Sequence, residues 1–220
     1  MLKKCVIAIR KLSIPNRNYL VIFGLVLYCL AIYLPNILRY DYPLGCAGLY
    51  LTMADHLFES NFSLPVDVPF YGPGGIPLAY PPAGIYLTAL ITRIINFPVI
   101  PYLKIFPMIW GISSLVILYF LFARLLRHKW LACFSSILVS TSYTIYYYQL
   151  TAGGIVRGLA FLFSLLAILM TYHIMEDKHS IWTYFLASIS VGLTLLTHFS
   201  YALFTIISIA VFSASNKYQR

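Results

Sequence analysis

Three residues with chemistry-bearing side chains stand out from a mostly apolar chain: Asp41, Arg157 and His198. Asp41 follows the end of an apolar run, at Leu38, by three positions. An ionised carboxylate placed there is costly unless it meets water, a cation or a substrate. Headgroup solvation and pairing with Arg39 would satisfy the same position. Arg157 falls in the first turn of a later apolar run, after Ala152-Gly153-Gly154. A fixed guanidinium there suits a phosphate, and it also suits snorkelling to a membrane interface. His198, flanked by Thr197 and Ser200, breaks the last apolar stretch and by itself reads as a hydrogen-bonded histidine at a helix end.

The elements that must carry these residues are membrane helices. Hydrophobic residues make up 61% of the 220 positions and charged residues only 10%, which excludes a soluble single-core domain. A span needs roughly 20 apolar residues at about 1.5 Å each. Six segments meet or approach that length: Tyr19 to Leu38, Tyr102 to Phe122, Trp130 to Leu150, Gly153 to Ile174, Ile181 to Leu196 and Ser200 to Ser215. A single bent pair of half-helices is the competing reading of the last two. The first is read as an uncleaved helix, too long for a secretory leader.

The net charge of +9 sits in short clusters between apolar runs, a topological pattern that offers nucleic acid no continuous basic face. With the N-terminus in the cytoplasm, eleven of the fifteen Lys and Arg fall inside, and Arg39, Arg93, Lys104 and Arg157 fall outside or at that interface. Positive charge retained in the cytoplasm sets this orientation. The expected organisation is a basic cytoplasmic N-terminus over 1–18, a transmembrane module over 19–215 with an extracytoplasmic loop over 39–101, and a cytoplasmic tail over 216–220, at which a longer enzyme would be truncated.

The long loop holds four of the six acidic residues: Asp41, Asp55, Glu59 and Asp67. Cys46 to Ser60 and Ala83 to Phe97 have helical periodicity but are too short to span, so two surface helices are expected. Between them, the prolines and glycines of Leu64 to Pro82 predict a rigid loop without regular structure. Tyr80-Pro81-Pro82 directs the start of the second surface helix. Asp55 and His56 are adjacent on one helix and cannot build a metal site unaided. Cys5, Cys29, Cys46 and Cys133 lack metal-ligand spacing. Phosphate-loop, HExxH and GxSxG motifs are missing, and no span carries an acidic residue, which disfavours ATPase, protease and proton-pump chemistry.

The order of these parts resembles the GT-C membrane glycosyltransferases. The likeness rests on Asp41 directly after the first span, the outer loop with two surface helices, Gly75-Ile76-Pro77-Leu78-Ala79-Tyr80-Pro81-Pro82, Gly153-Gly154 with Arg157, and Leu195-Leu196-Thr197-His198. It covers the chain from about Tyr19 to Ser215. The resemblance implies an all-α polytopic fold and transfer of a hexosyl or pentosyl group, with inversion, from a polyprenyl-phosphate donor to an acceptor hydroxyl on the extracytoplasmic face. It makes Asp41 the catalytic base and Arg157, His198 and Tyr80 the substrate-binding residues. Many such enzymes carry a second acidic motif, tied to metal binding, before the fourth span. Here that stretch reads Gln149-Leu150-Thr151-Ala152-Gly153, so a divalent metal is not supported and no cofactor is expected. The expected partners are the lipid bilayer and the lipid-linked donor, with the acceptor left open. The short length and the missing acidic motif keep a second class in view: a truncated, inactive chain, or a non-catalytic membrane scaffold or transporter component.

Overall fold

The computed structural model describes residues 2–176 and 180–217 and is predominantly helical. Lys178, Arg220 and the end of the 216–220 tail, which enter the charge asymmetry above, lie outside the described residues. Helix α1 spans Leu2–Arg39, α2 Ala47–Glu59, and α3 Ala83–Ala89, which continues as a π-helical turn over Leu90–Ile94. Then follow α4 (Val99–Leu125), α5 (Lys129–Ser140), α6 (Tyr143–Leu150), a 3-10 turn over Ala152–Ile155, α7 (Arg157–Met175), α8 (Ile181–Thr197) and α9 (Phe199–Lys217). Among the described residues, three segments are long and apolar enough to cross a membrane: Tyr19–Arg39, Val99–Leu125 and Ala152–Met175. Helices α8 and α9 are apolar but shorter.

The expected third span is broken in two. Thr141 Oγ1 donates to the carbonyls of Ile137 and Leu138 at 3.1 and 2.9 Å, and Ser140 Oγ donates to Ile137 O at 2.8 Å. Hydroxyls that take over last-turn carbonyls offer the backbone an exit from the helix, and Ser142 is extended before α6 begins. The loop also departs from expectation. Asp67–Val68 (β1) and Ile76–Pro77 (β2) pair antiparallel, so Leu64 to Pro82 is not wholly irregular. Gly75 makes the pairing feasible: its φ is +79°, and a Cβ would lie 2.6 Å from Val68 O, so only glycine fits.

Helix α7 is the most buried span and packs against α4, α8 and α9. Phe161 meets Tyr201 with ring centroids 5.7 Å apart, Thr205 donates to Ser164 Oγ at 2.7 Å, and Tyr172 meets Phe212 at 6.2 Å. These contacts climb both helices in the same order, so α9 runs parallel to α7. Helix α8 therefore returns the chain, and His198 marks a reversal of direction rather than a bend between collinear half-helices. On the other side, α1 packs on α4 and α5, and its polar Asn36 is satisfied within the bundle by Ile32 O at 3.2 Å and Tyr146 Oη at 3.0 Å.

A separate apolar cluster glues the loop to one end of the bundle. Tyr50, Met53 and Leu57 of α2, Val68 of β1, Ile85 and Ala89 of α3, Tyr102 and Leu103 of α4, and Ile155 and Val156 before α7 are all buried together. Arg93 clamps this layer from outside by donating to Asp55 through Nε at 2.8 Å and through its terminal nitrogen.

Candidate active site at the loop end of the bundle

Four elements place polar side chains around one point. Helix α7 begins at Arg157, just after the Gly-rich Ala152–Ile155 turn, which is wholly buried and packs on α4 and α2. The break after α8 begins at Thr197, whose hydroxyl turns back to Leu193 O at 2.5 Å. His198 is then extended, donates its N–H to Thr194 O at 2.8 Å and accepts from Ala202 N at 3.1 Å, so one residue closes α8 and opens α9. Its imidazole meets Tyr80 edge-on at 6.1 Å and Tyr201 at 5.4 Å. Tyr80 in turn meets Tyr50 edge-on at 6.0 Å, with the two hydroxyls 3.5 Å apart.

Electrostatics join Arg157 to this group. Burial, with a smaller contribution from the Arg157 guanidinium, holds the His198 imidazole below its ordinary pKa. The ring is therefore neutral near neutral pH, with one N–H to donate. Its Nδ1 is buried without a hydrogen-bond partner among the described residues, and such an atom is costly to leave unpaired. Burial and the hydrogen-bonded Tyr80 push the Tyr50 phenol up, outweighing the opposing pull of Arg157. Tyr50 thus stays protonated and donates to Tyr80 Oη, which leaves the Tyr80 O–H to donate onward. A guanidinium, a neutral imidazole and two phenols form a donor-rich, cation-bearing cluster suited to an anion.

An apolar cavity of about 670 Å³ opens between the loop layer and helices α7 and α8. Pro82, Ala83, Tyr86, Leu87, Leu90 and Ile94 wall it from the loop layer, and Leu159, Phe163, Leu193 and Leu196 from α7 and α8. Its walls are nearly all hydrocarbon; Arg157, His198, Tyr50 and Tyr80 are not among its lining residues, and Pro82, Leu159 and Leu196 stand two positions along the chain from Tyr80, Arg157 and His198, respectively.

The structure therefore brings together Arg157, His198 and Tyr80, three of the four residues singled out from the sequence. Asp41 is at the same end, exposed, on a strap that leaves α1 and docks on Thr151 and Ala152, ahead of α7. Lys104 Nζ donates to Tyr40 O at 2.5 Å, and Ala152 N donates to Leu44 O at 2.8 Å. Gly45, at φ +83°, lets the strap lie against the Thr151 side chain. Among the described residues the Asp41 carboxylate enters no ion pair, and Arg39 lies instead over the Tyr40 ring at 5.6 Å, so the Arg39–Asp41 pairing is not formed. Sequence reading missed Tyr50, which shares the apolar face of α2 with Met53, Ala54 and Leu57 and carries no local mark of a polar role. No group of three or more His, Cys, Asp or Glu among the described residues could hold a metal ion.

The family described as dolichyl-phosphate-mannose-protein mannosyltransferase matches residues 79–220, which include Tyr80, Arg157 and His198 but begin after Asp41. No curated protein and no solved structure matches the chain. The match covers well over half of the sequence and agrees with the helical, membrane-spanning architecture: the chain belongs to the dolichyl-phosphate-mannose-protein mannosyltransferase family, a GT-C type of membrane glycosyltransferase.

Proposed function

We propose that this protein moves a hexosyl or pentosyl group from a polyprenyl-phosphate donor to an acceptor hydroxyl, with inversion, at the extracytoplasmic face of the cytoplasmic membrane. In this reading the chain crosses the bilayer six times, α5 and α6 together making one crossing, and both termini lie in the cytoplasm. The eleven-to-four division of basic residues supports that orientation. The observation that carries the proposal is the cluster of Arg157, His198, Tyr50 and Tyr80, together with an apolar cavity whose wall residues Pro82, Leu159 and Leu196 each stand two positions along the chain from a member of that cluster. A lipid phosphate needs both parts: donors for its oxygens and hydrocarbon for its tail.

The chemistry assigns a part to each residue. The acceptor oxygen bonds to the anomeric carbon while Asp41 takes its proton. The bond from that carbon to the phosphate oxygen breaks, and its electron pair stays with the phosphate. The donor is a phosphodiester with one negative charge, and the departing polyprenyl phosphate gains a second. Stabilisation must therefore grow as the bond breaks, which is the condition under which preorganised donors accelerate a reaction. Arg157 supplies charge, Tyr80 supplies a hydroxyl donor backed by the hydrogen bond it accepts from Tyr50, and neutral His198 supplies an N–H without needing to be protonated.

The test is transfer of labelled sugar from a panel of polyprenyl-phosphate sugars in membranes that contain the full chain. Asp41→Asn is expected to lower kcat by about 10²- to 10⁴-fold, the usual weight of a general base, with donor KM held. Arg157→Met is expected to lower kcat and raise donor KM. Equal incorporation by wild type and Asp41→Asn removes Asp41 from the base role, and an absence of transfer from every donor by wild type refutes the catalytic reading.

A further inference from the structure

We infer that Lys104 is a positioning residue that fixes the direction of Asp41. The inference rests on the transferase reading for the importance of Asp41, and on geometry for the rest. Lys104 stands in the second turn of α4, next to Tyr102 and Leu103, which are buried in the same apolar cluster as Ala152, Ile155 and Val156. Its base is therefore part of the rigid frame that delivers Arg157. Its ammonium reaches out of that frame to the Tyr40 carbonyl at 2.5 Å.

A cation on a carbonyl at the end of a helix would ordinarily be read as a C-terminal cap, since α1 closes at Arg39. The identity of the carbonyl adds a consequence. The peptide unit is planar, so the Tyr40 C=O and the Asp41 N–Cα bond share one plane. Holding that oxygen narrows the positions open to the Asp41 Cα, from which the carboxylate projects. Three residues later the strap is held again, where Ala152 N donates to Leu44 O at 2.8 Å and the two segments bridge in parallel. Asp41 thus sits between two anchors, one on α4 and one on the turn that starts α7. An exposed carboxylate in a loop of irregular structure would otherwise sample many directions, whereas a catalytic group must be held to about 0.5 Å. Lys104 is the side chain that supplies the first anchor.

Two measurements on the full chain in nanodiscs test this. Hydrogen exchange reads the strap without any need for activity: Lys104→Met should speed exchange of the Ala152 amide, which depends on Leu44, about three-fold or more, while amides in the middle of α7 keep wild-type rates. An unchanged Ala152 rate overturns the inference. Transfer kinetics with a polyprenyl-phosphate sugar read the catalytic consequence. Lys104→Met should lower kcat about ten-fold, the weight of one lost hydrogen bond to a charged group, with donor KM within about two-fold. Lys104→Arg should recover most of the loss, and Lys104→Met combined with Asp41→Asn should be no slower than Asp41→Asn alone. A raised donor KM with kcat unchanged would make Lys104 a donor-binding cation and overturn the positioning role. Faster Ala152 exchange in a chain that transfers no sugar would refute the transferase reading while leaving the Lys104 contact standing.

Discussion

Replacing Gly84 by alanine adds a single methyl group at the seam between the loop layer and the start of α7. Built on the Gly84 backbone, that carbon lies 2.9 Å from Val156 Cγ2, 3.2 Å from Ile155 O and 3.3 Å from Val156 Cα. Carbon pairs rest at about 3.5–4.0 Å, so the contact with Cγ2 is short by roughly 0.6–1.1 Å. A rotamer change at Val156 cannot relieve it, because two of the three obstacles are backbone and Val156 is fully buried. The first turn of α3 and the turn before α7 must therefore separate by a good fraction of an ångström. Overpacking of this kind costs about 1–3 kcal/mol. The displacement falls between Tyr80, which leads into α3, and Arg157, which follows Val156, and misplacing reacting groups by 1 Å costs on the order of 100-fold in rate. Melting in detergent and sugar transfer should therefore both fall in Gly84→Ala. Gly158→Ala is the matched control: it adjoins Arg157, but its added carbon meets only Trp110 Cβ, at an ordinary 3.6 Å. If Gly84→Ala melts and transfers like wild type, or if Gly158→Ala is impaired as severely, close packing of α3 on the turn before Arg157 is not what holds the site.

Thr205→Val should destabilise the chain by about 0.6–1.7 kcal/mol, the span measured for hydrogen bonds between membrane helices, because it strands the buried Ser164 hydroxyl that Thr205 reaches at 2.7 Å. Adding Ser164→Ala should return part of that loss, and equal melting of single and double variants would show that the pair contributes nothing. Acidification should destabilise the wild type through His198. Its folded pKa lies below the ordinary 6.5, so the unfolded chain binds the proton first. Stability should thus be level above about pH 7, fall as the pH drops through 6.5 and level again below the folded pKa. His198→Gln should flatten that part of the melting profile, and an identical slope in both proteins would refute the assignment.

Much of this architecture was legible in the residue order because its causes are local. A hydrocarbon layer about 30 Å thick imposes long apolar runs, and Tyr19–Arg39, Val99–Leu125 and Ala152–Met175 appear where such runs stand. Pro81-Pro82 and the short periodic stretches around them foretold α2 and α3, and the resemblance built on these motifs is matched by the family. Asp41, Arg157 and His198 were conspicuous because a charged or titratable side chain at the edge of an apolar run is expensive wherever the chain folds. Other features depended on which helix faces meet. Tyr50 looks like any apolar-face residue of α2 until Tyr80, thirty positions away, brings a hydroxyl beside it. Lys104 looks like an interfacial anchor until α4 packs beside the end of α1 and sets it on the Tyr40 carbonyl. The reversal at His198, the parallel course of α7 and α9, and the convergence of Arg157 with His198 across forty residues follow from helix register, which no single segment encodes. Residue order states what each helix must hide from water or lipid, and only packing in three dimensions decides which polar groups then find each other.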